Sequence, residues 1–210
     1  MYVLAPTLVN PGKNDLPHIP EAIGNLTSLR ELNLSGNHLQ FLPHTLLDLN
    51  QLQHLRLHPN PFLSPPASYS PLPTPPSSQV NAPAVLRAYQ RPTRPKNTAS
   101  ITSLVEFASR ALAETFVLAD IDKAFELPEY LHDKAHHAEE RFKWHDTCSI
   151  CTQWYVDGPV DENGMGCIEY YDSLHANDAV PVWRGVCSWQ CVEKWEVQCQ
   201  HTLGEQAKQK

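Results

Sequence analysis

No stretch of this 210-residue sequence approaches the roughly 20 consecutive apolar residues that a helix needs to cross a bilayer, and the mean hydropathy is −0.39. The chain therefore reads as soluble. The opening Met1-Tyr2-Val3-Leu4-Ala5-Pro6 lacks the charged region and apolar stretch of a leader peptide. Cysteine is sparse, with six residues, too few to demand a disulfide scaffold. Together these points suggest a reducing compartment, cytoplasmic or nuclear, in which closely spaced thiols are metal candidates before they are disulfides. Positive charge is also short: 16 Lys and Arg against 23 Asp and Glu leave −7, which disfavours nucleic acid as the main partner. Absent too are a glycine-rich phosphate loop, a nucleophile-elbow sequence and any pair of carboxylates spaced for acid–base work, so the sequence reads as non-enzymatic.

What it has in excess is proline, 19 residues against eight glycines, where about one residue in twenty is ordinary. One uniform core is not expected. A repeat occupies the first part of the chain. Leu29, Leu32, Leu34, Asn37 and Leu39 recur 23 positions later as Leu52, Leu55, Leu57, Asn60 and Phe62. Between them, Ile19-Pro20, Ile23 and Leu26 correspond to Leu42-Pro43, Leu46 and Leu49 at the same offset. One period earlier stand Val9, Asn14 and Leu16, with Pro6 and Pro11 where leucines would be, which reads as a decayed or truncated first coil. Each unit fits L-x-x-L-x-L-x-x-N-x-L. It resembles the leucine-rich repeat family, and the leucine–proline step is similar to its 23-residue intracellular, Ras-suppressor-type subclass.

The resemblance implies a solenoid of stacked coils. In physical terms, Leu32 and Leu34 alternate on a short strand and point inward, leaving Glu31, Asn33 and Ser35 outward, with His54, Arg56 and His58 on the next coil. These six are the candidate protein-binding residues of a concave face. Asn14, Asn37 and Asn60 are expected to stack after each strand, their amides satisfying backbone groups that the bend leaves unpaired. An array this short exposes its ends, so either another segment covers its N-terminal face or the chain begins inside a longer array.

From Pro59 to Pro95 there are eleven prolines, which predicts an extended linker, disordered over 64–100. It reads as a spacer, as a docking segment for SH3- or WW-type domains, or as a phosphorylation target at Ser64, Ser70 and Thr74. Its end, Arg87 to Lys96, carries four positive charges and no acids, which reads as a solvated basic run or as a weak nucleic-acid or nuclear-import patch. Helical spacing returns with Ile101, Leu104, Val105, Ala108, Leu112 and Phe116, and again from Pro128 to Phe142, where His132, His136 and His137 read as a polar face.

All six cysteines lie beyond these segments. Cys148 and Cys151 form a C-x-x-C knuckle, and Cys187 and Cys191 a second close pair. Four thiolates so spaced suit one tetrahedral Zn²⁺, and a closed Cys₄ site is structural because it leaves no position for water. His145 is an alternative ligand; Cys167, Cys199 and His201 are either a second site or buried small residues; disulfides and a redox pair remain further readings. Ile168 to Tyr171 and Val180 to Trp183 look like strands, Cys191 to Trp195 like the opening of a helix, and all five tryptophans fall in this region.

The expected architecture is α+β: repeats over 1–63, a proline-rich linker over 64–100, amphipathic helices over 101–143, a zinc-ribbon-like Cys/Trp module over 144–201 and a tail over 202–210. The whole arrangement resembles a group of uncharacterised fungal leucine-rich-repeat proteins, a resemblance that implies no activity. The function expected is a non-enzymatic protein–protein adaptor with a structural zinc module. The alternatives are a nucleic-acid-associated zinc protein using the basic linker and the tryptophans, and a thiol redox enzyme.

Overall fold

The computed structural model describes residues 7–67, 69, 84–94, 147–155, 158 and 166–208. The helices expected over 101–143, together with His145, Ser70 and Thr74, lie outside the described residues. By its internal packing the chain divides into two units: Met1–Arg91 with Cys167–Arg184 and Val197–Lys210, and Pro92–Gly166 with Gly185–Glu196.

In the first unit, the strands β1 (Leu8–Val9), β2 (Glu31–Asn33) and β4 (His54–Arg56) form a parallel sheet. Its register is the sequence period: Leu8 pairs with Glu31 and Glu31 with His54. The decayed first coil thus still contributes a strand. Two 3₁₀ turns, Glu21–Asn25 and His44–Asp48, repeat at the same spacing, each entered from an extended proline, Pro20 or Pro43. Proline suits that place because its φ is fixed and its missing N–H has no partner to lose. Between the coils a Cβ on Gly24 would stand 2.7 Å from Thr45 Cβ, so the stacking distance itself requires glycine there. Leu29, Leu32, Leu34 and Leu39 are 0–1% exposed and form the core with their counterparts one coil on.

The asparagine ladder is present in altered form. Asn37, 5% exposed, accepts from the N–H groups of Asn14 and Leu16 and donates to the carbonyls of Pro11 and Leu34. Asn60 accepts from Leu39 N–H and donates to the Leu34 and Leu57 carbonyls. Asn14 is exposed and enters through its backbone.

A second sheet of the same unit has the order β3-β7-β6-β5, where β3 is Leu42–Pro43, β5 Val85–Gln90, β6 Cys167–Asp172 and β7 Val180–Arg184. Strands β6 and β7 occur at the strand-like segments Ile168 to Tyr171 and Val180 to Trp183. β7 runs parallel to β3 of the repeat, pairing Leu42 with Val182, and Phe41 stacks on Trp183 at 5.2 Å. Leu174, Val180 and Val182 thereby join the leucine core. The strands between the cysteine pairs therefore pack with the repeats, and the 144–201 block is divided between the two units.

Strand β5 corrects the linker. Residues 84–91 contain no proline, and Leu86 and Ala88 alternate as buried residues against β6. Arg87, expected in a solvated basic run, has its Nε 3.6 Å from a carboxylate oxygen of the buried Asp172. The beginning of the proline-rich stretch is tied to the same sheet, since the Tyr170 hydroxyl donates to the Ser64 carbonyl at 3.0 Å and the Tyr69 hydroxyl to Asp172. The tail is also corrected: helix α1 spans Trp189–Lys208, its last turns carrying a His201–Glu205 pair at i,i+4 spacing and a Thr202 hydroxyl bond to the Gln198 carbonyl.

Candidate metal centre and repeat face

The four cysteines singled out by spacing meet in the second unit. The Sγ atoms of Cys148, Cys151, Cys187 and Cys191 all lie within 4.8 Å of one another. Cys151 Sγ is 3.5 Å from Cys187 Sγ, which is 3.7 Å from Cys191 Sγ. A tetrahedron with arms of 2.3 Å has edges of about 3.8 Å, so these separations fit four ligands of one ion and are far from the roughly 2.05 Å of a disulfide. All six cysteines are free thiols.

Local structure builds each half. Cys148 N–H bonds the Gln153 carbonyl and Thr152 N–H the Cys148 carbonyl, both at 2.8 Å, closing a tight turn that Thr152 completes with a φ of 61°. Ser149 N–H then reaches the Gly185 carbonyl at 2.9 Å, tying the knuckle to the segment before Cys187. In the second half, Ser188 caps α1 by accepting the Cys191 N–H at 3.3 Å, which sets Cys191 in the first turn, where the positive helix end favours a thiolate. Val192 and Trp195, 0% and 1% exposed, anchor that turn.

The thiols are not equivalent. Burial pushes Cys148 up, but N–H groups of Cys151, Ile150 and Cys187 outweigh it and hold this thiol below its ordinary value. Cys187 is pushed well up by burial and then by its bond with Cys151; Cys191 is raised by burial and by charge on Cys148, against the lowering effect of its bonds with Ser188 and Cys187. Four anions cannot share this space without a cation, and a divalent ion reverses the balance.

Among the described residues no other group of three or more His, Cys, Asp or Glu gathers in this way. Cys167 and Cys199 are buried in the first unit, where Cys199 Sγ donates to Glu169 Oε1 at 3.6 Å and is pushed well up by burial and by that carboxylate. Glu169 is itself held by Arg184 Nε at 2.9 Å and by the Tyr171 hydroxyl. His201 is exposed and faces Glu205. The second-site reading of Cys167, Cys199 and His201 is therefore replaced by a buried ionic network and a surface pair.

On the first unit, Glu31, His54, Arg56 and His58 are exposed, whereas Asn33 and Ser35 are half-buried because Asn33 Oδ1 accepts from both the N–H and the hydroxyl of Ser35. An open cavity of ≈ 170 Å³ is lined by Leu8, Val9, Asn10, Glu31, Leu32, Asn33, His54 and Arg56. Four of the six predicted face residues meet there. Ser35 and His58 stand outside it. The sequence reading missed His175, which the turn after β6 brings within electrostatic reach of His54; burial and then the charge on His54 lower its pKa. The signal available in the sequence is Asn177-Asp178, residue types that favour a turn.

A sequence model of the family described as "Leucine rich repeat" matches residues 13–62. These residues are a leucine-rich repeat array. The match agrees with the 23-residue register of the repeat strands. A comparison with curated proteins finds no match. Leucine-rich repeats commonly serve protein interaction, and the four gathered cysteines form a group able to hold a metal ion.

Proposed function

We propose that the chain is a non-enzymatic adaptor: the outward face of the repeat sheet binds a protein, and a structural zinc ion at Cys148, Cys151, Cys187 and Cys191 organises the second unit. The observation that carries the interaction role is the contrast along each repeat strand, with Leu32 and Leu55 buried inward and Glu31, His54 and Arg56 exposed outward on a backbone held in the parallel ladder. Such a surface offers rigid, spaced polar groups at little ordering cost. The zinc assignment rests on four sulfur ligands at tetrahedral spacing with no water position, which selects a soft, closed site over a catalytic one.

Two measurements test the proposal. Elemental analysis of protein purified in reducing buffer should give about one zinc per chain, lost in Cys148→Ser and in Cys187→Ser; folded wild type free of metal removes the zinc. For the adaptor role, an Asn33→Ala/His54→Ala/His58→Ala variant should stay folded and lose its co-purifying partner. Undiminished association would place binding elsewhere.

A further inference from the structure

Strand β4 presents His54 and Arg56 outward with no carboxylate on the strand itself, His58 follows two residues past its end, and all three are exposed. Among the described residues no ion pair engages Arg56. Its guanidinium, with five fixed donors, is available to a carboxylate. The His58 ring is steadied edge-on by Phe62, with centroids 6.0 Å apart.

A second observation meets the first from more than a hundred residues away. The connection from β6 to β7 holds four non-glycine residues at positive φ: Ser173 at 60°, His175 at 48°, Ala176 at 65° and Ala179 at 54°. Each is a costly backbone for an L-residue, and such strain persists only where surrounding bonds enforce it. Here they do. Asn177 Nδ2 donates to the carbonyls of Leu174, His175 and, on β4, Leu55, while Asp178 accepts the Ser173 N–H and Asp172 the Ala179 N–H. The turn is thus fastened to the edge of the repeat sheet at Leu55, the neighbour of His54, and it brings His175 within electrostatic reach of His54.

Resting on the adaptor reading, we propose that this rim, made of Arg56, His54 and His58 with His175 from the strained turn, recognises an acidic segment of the partner protein. Arg56 takes a carboxylate in forked hydrogen bonds, and the imidazoles donate to neighbouring carboxylates or carbonyls. Glu31, directly across from His54 in the β2–β4 register, sets the other boundary, so that negative charge on the ligand is accepted at the β4 edge and rejected one strand away.

The test is selection of a random dodecapeptide library on the full-length protein, followed by fluorescence anisotropy with the selected peptides and with a labelled Glu/Gly decapeptide and its Lys/Gly counterpart. Selected sequences should be rich in Asp and Glu, and the Glu/Gly probe should bind while the Lys/Gly probe does not. Arg56→Glu should raise Kd about tenfold or more, the worth of one charged hydrogen-bonding partner. His175→Ala should weaken the same peptides while leaving the circular dichroism of the protein unchanged. If the selected peptides are not acidic yet are lost in an Asn33→Ala/Ser35→Ala variant, the acidic specificity is overturned and the adaptor face stands. If acidic peptides bind equally well to Arg56→Glu, the rim is overturned. If no selected peptide responds to any substitution on this face, both readings fall.

Discussion

Replacing Asn37 by Ala should cost the repeat about 3 kcal/mol, and the figure follows from its four hydrogen bonds. The Asn37 oxygen serves two N–H groups, of Asn14 and Leu16, at 3.1 Å, and its nitrogen serves the carbonyls of Pro11 at 3.0 Å and Leu34 at 2.8 Å. The Leu34 carbonyl keeps a second donor, Asn60 Nδ2 at 2.9 Å, so it is not orphaned. Three groups at partly buried sites lose their partner, at about 1 kcal/mol each. That is a large part of the roughly 5–15 kcal/mol by which a domain is held. Asn37→Asp keeps both acceptor bonds but turns a carboxylate toward two carbonyls and should be no less damaging. Asn14→Ala, at an exposed side chain, should stay within about 0.5 kcal/mol of wild type. Urea unfolding gives the free energies, and amide exchange at Leu16 reports the local loss. Asn37→Ala with wild-type stability and undiminished Leu16 protection would refute the ladder as the device that joins the coils.

Metal binding should be linked to protons: Cys187 and Cys191 are raised by burial, so an ion that needs thiolates must displace at least their two protons at neutral pH, and affinity should fall as pH falls. Calorimetry in buffers of different ionisation enthalpy measures this, and zero proton release would contradict it. Gly158→Ala should destabilise the second unit and weaken metal retention, because the added Cβ would lie 2.3 Å from the Val186 carbonyl oxygen, beside Cys187; thermal unfolding with zinc release as readout should show both losses together. Ala176→Gly should raise the stability of the first unit by about 0.5–1 kcal/mol, the relief of a positive φ less the added freedom of the unfolded chain. A loss in urea unfolding would mean the turn is not strained there.

The repeat and the cysteine set were legible for the same reason: both are encoded by spacing. Inward leucines two apart, an asparagine three past the second and a period of 23 residues specify a coil without knowledge of anything else in the chain, and residues 13–62 are that array. Two close cysteine pairs likewise state a preference for a shared ion wherever the fold brings them together. Strand β5 was hidden because the prolines flanking it dominate composition, whereas Leu86 and Ala88 alternate over too short a run to stand out. Arg87 looked like solvated charge because its partner, Asp172, is 85 residues away.

Non-local pairing of this kind is decided by tertiary structure alone. That β7 lies against Leu42–Pro43, that Asn177 reaches the Leu55 carbonyl and that His175 comes within electrostatic reach of His54 depend on which unsatisfied edge and which apolar face were left open by the repeat. A short coil array has a core it cannot close by itself, and Leu174, Val180 and Val182 complete it. The sequence by itself determined the coils and the ligand set, because local spacing suffices for both. Their completion waited for the fold, because burying an edge requires a partner that spacing does not name.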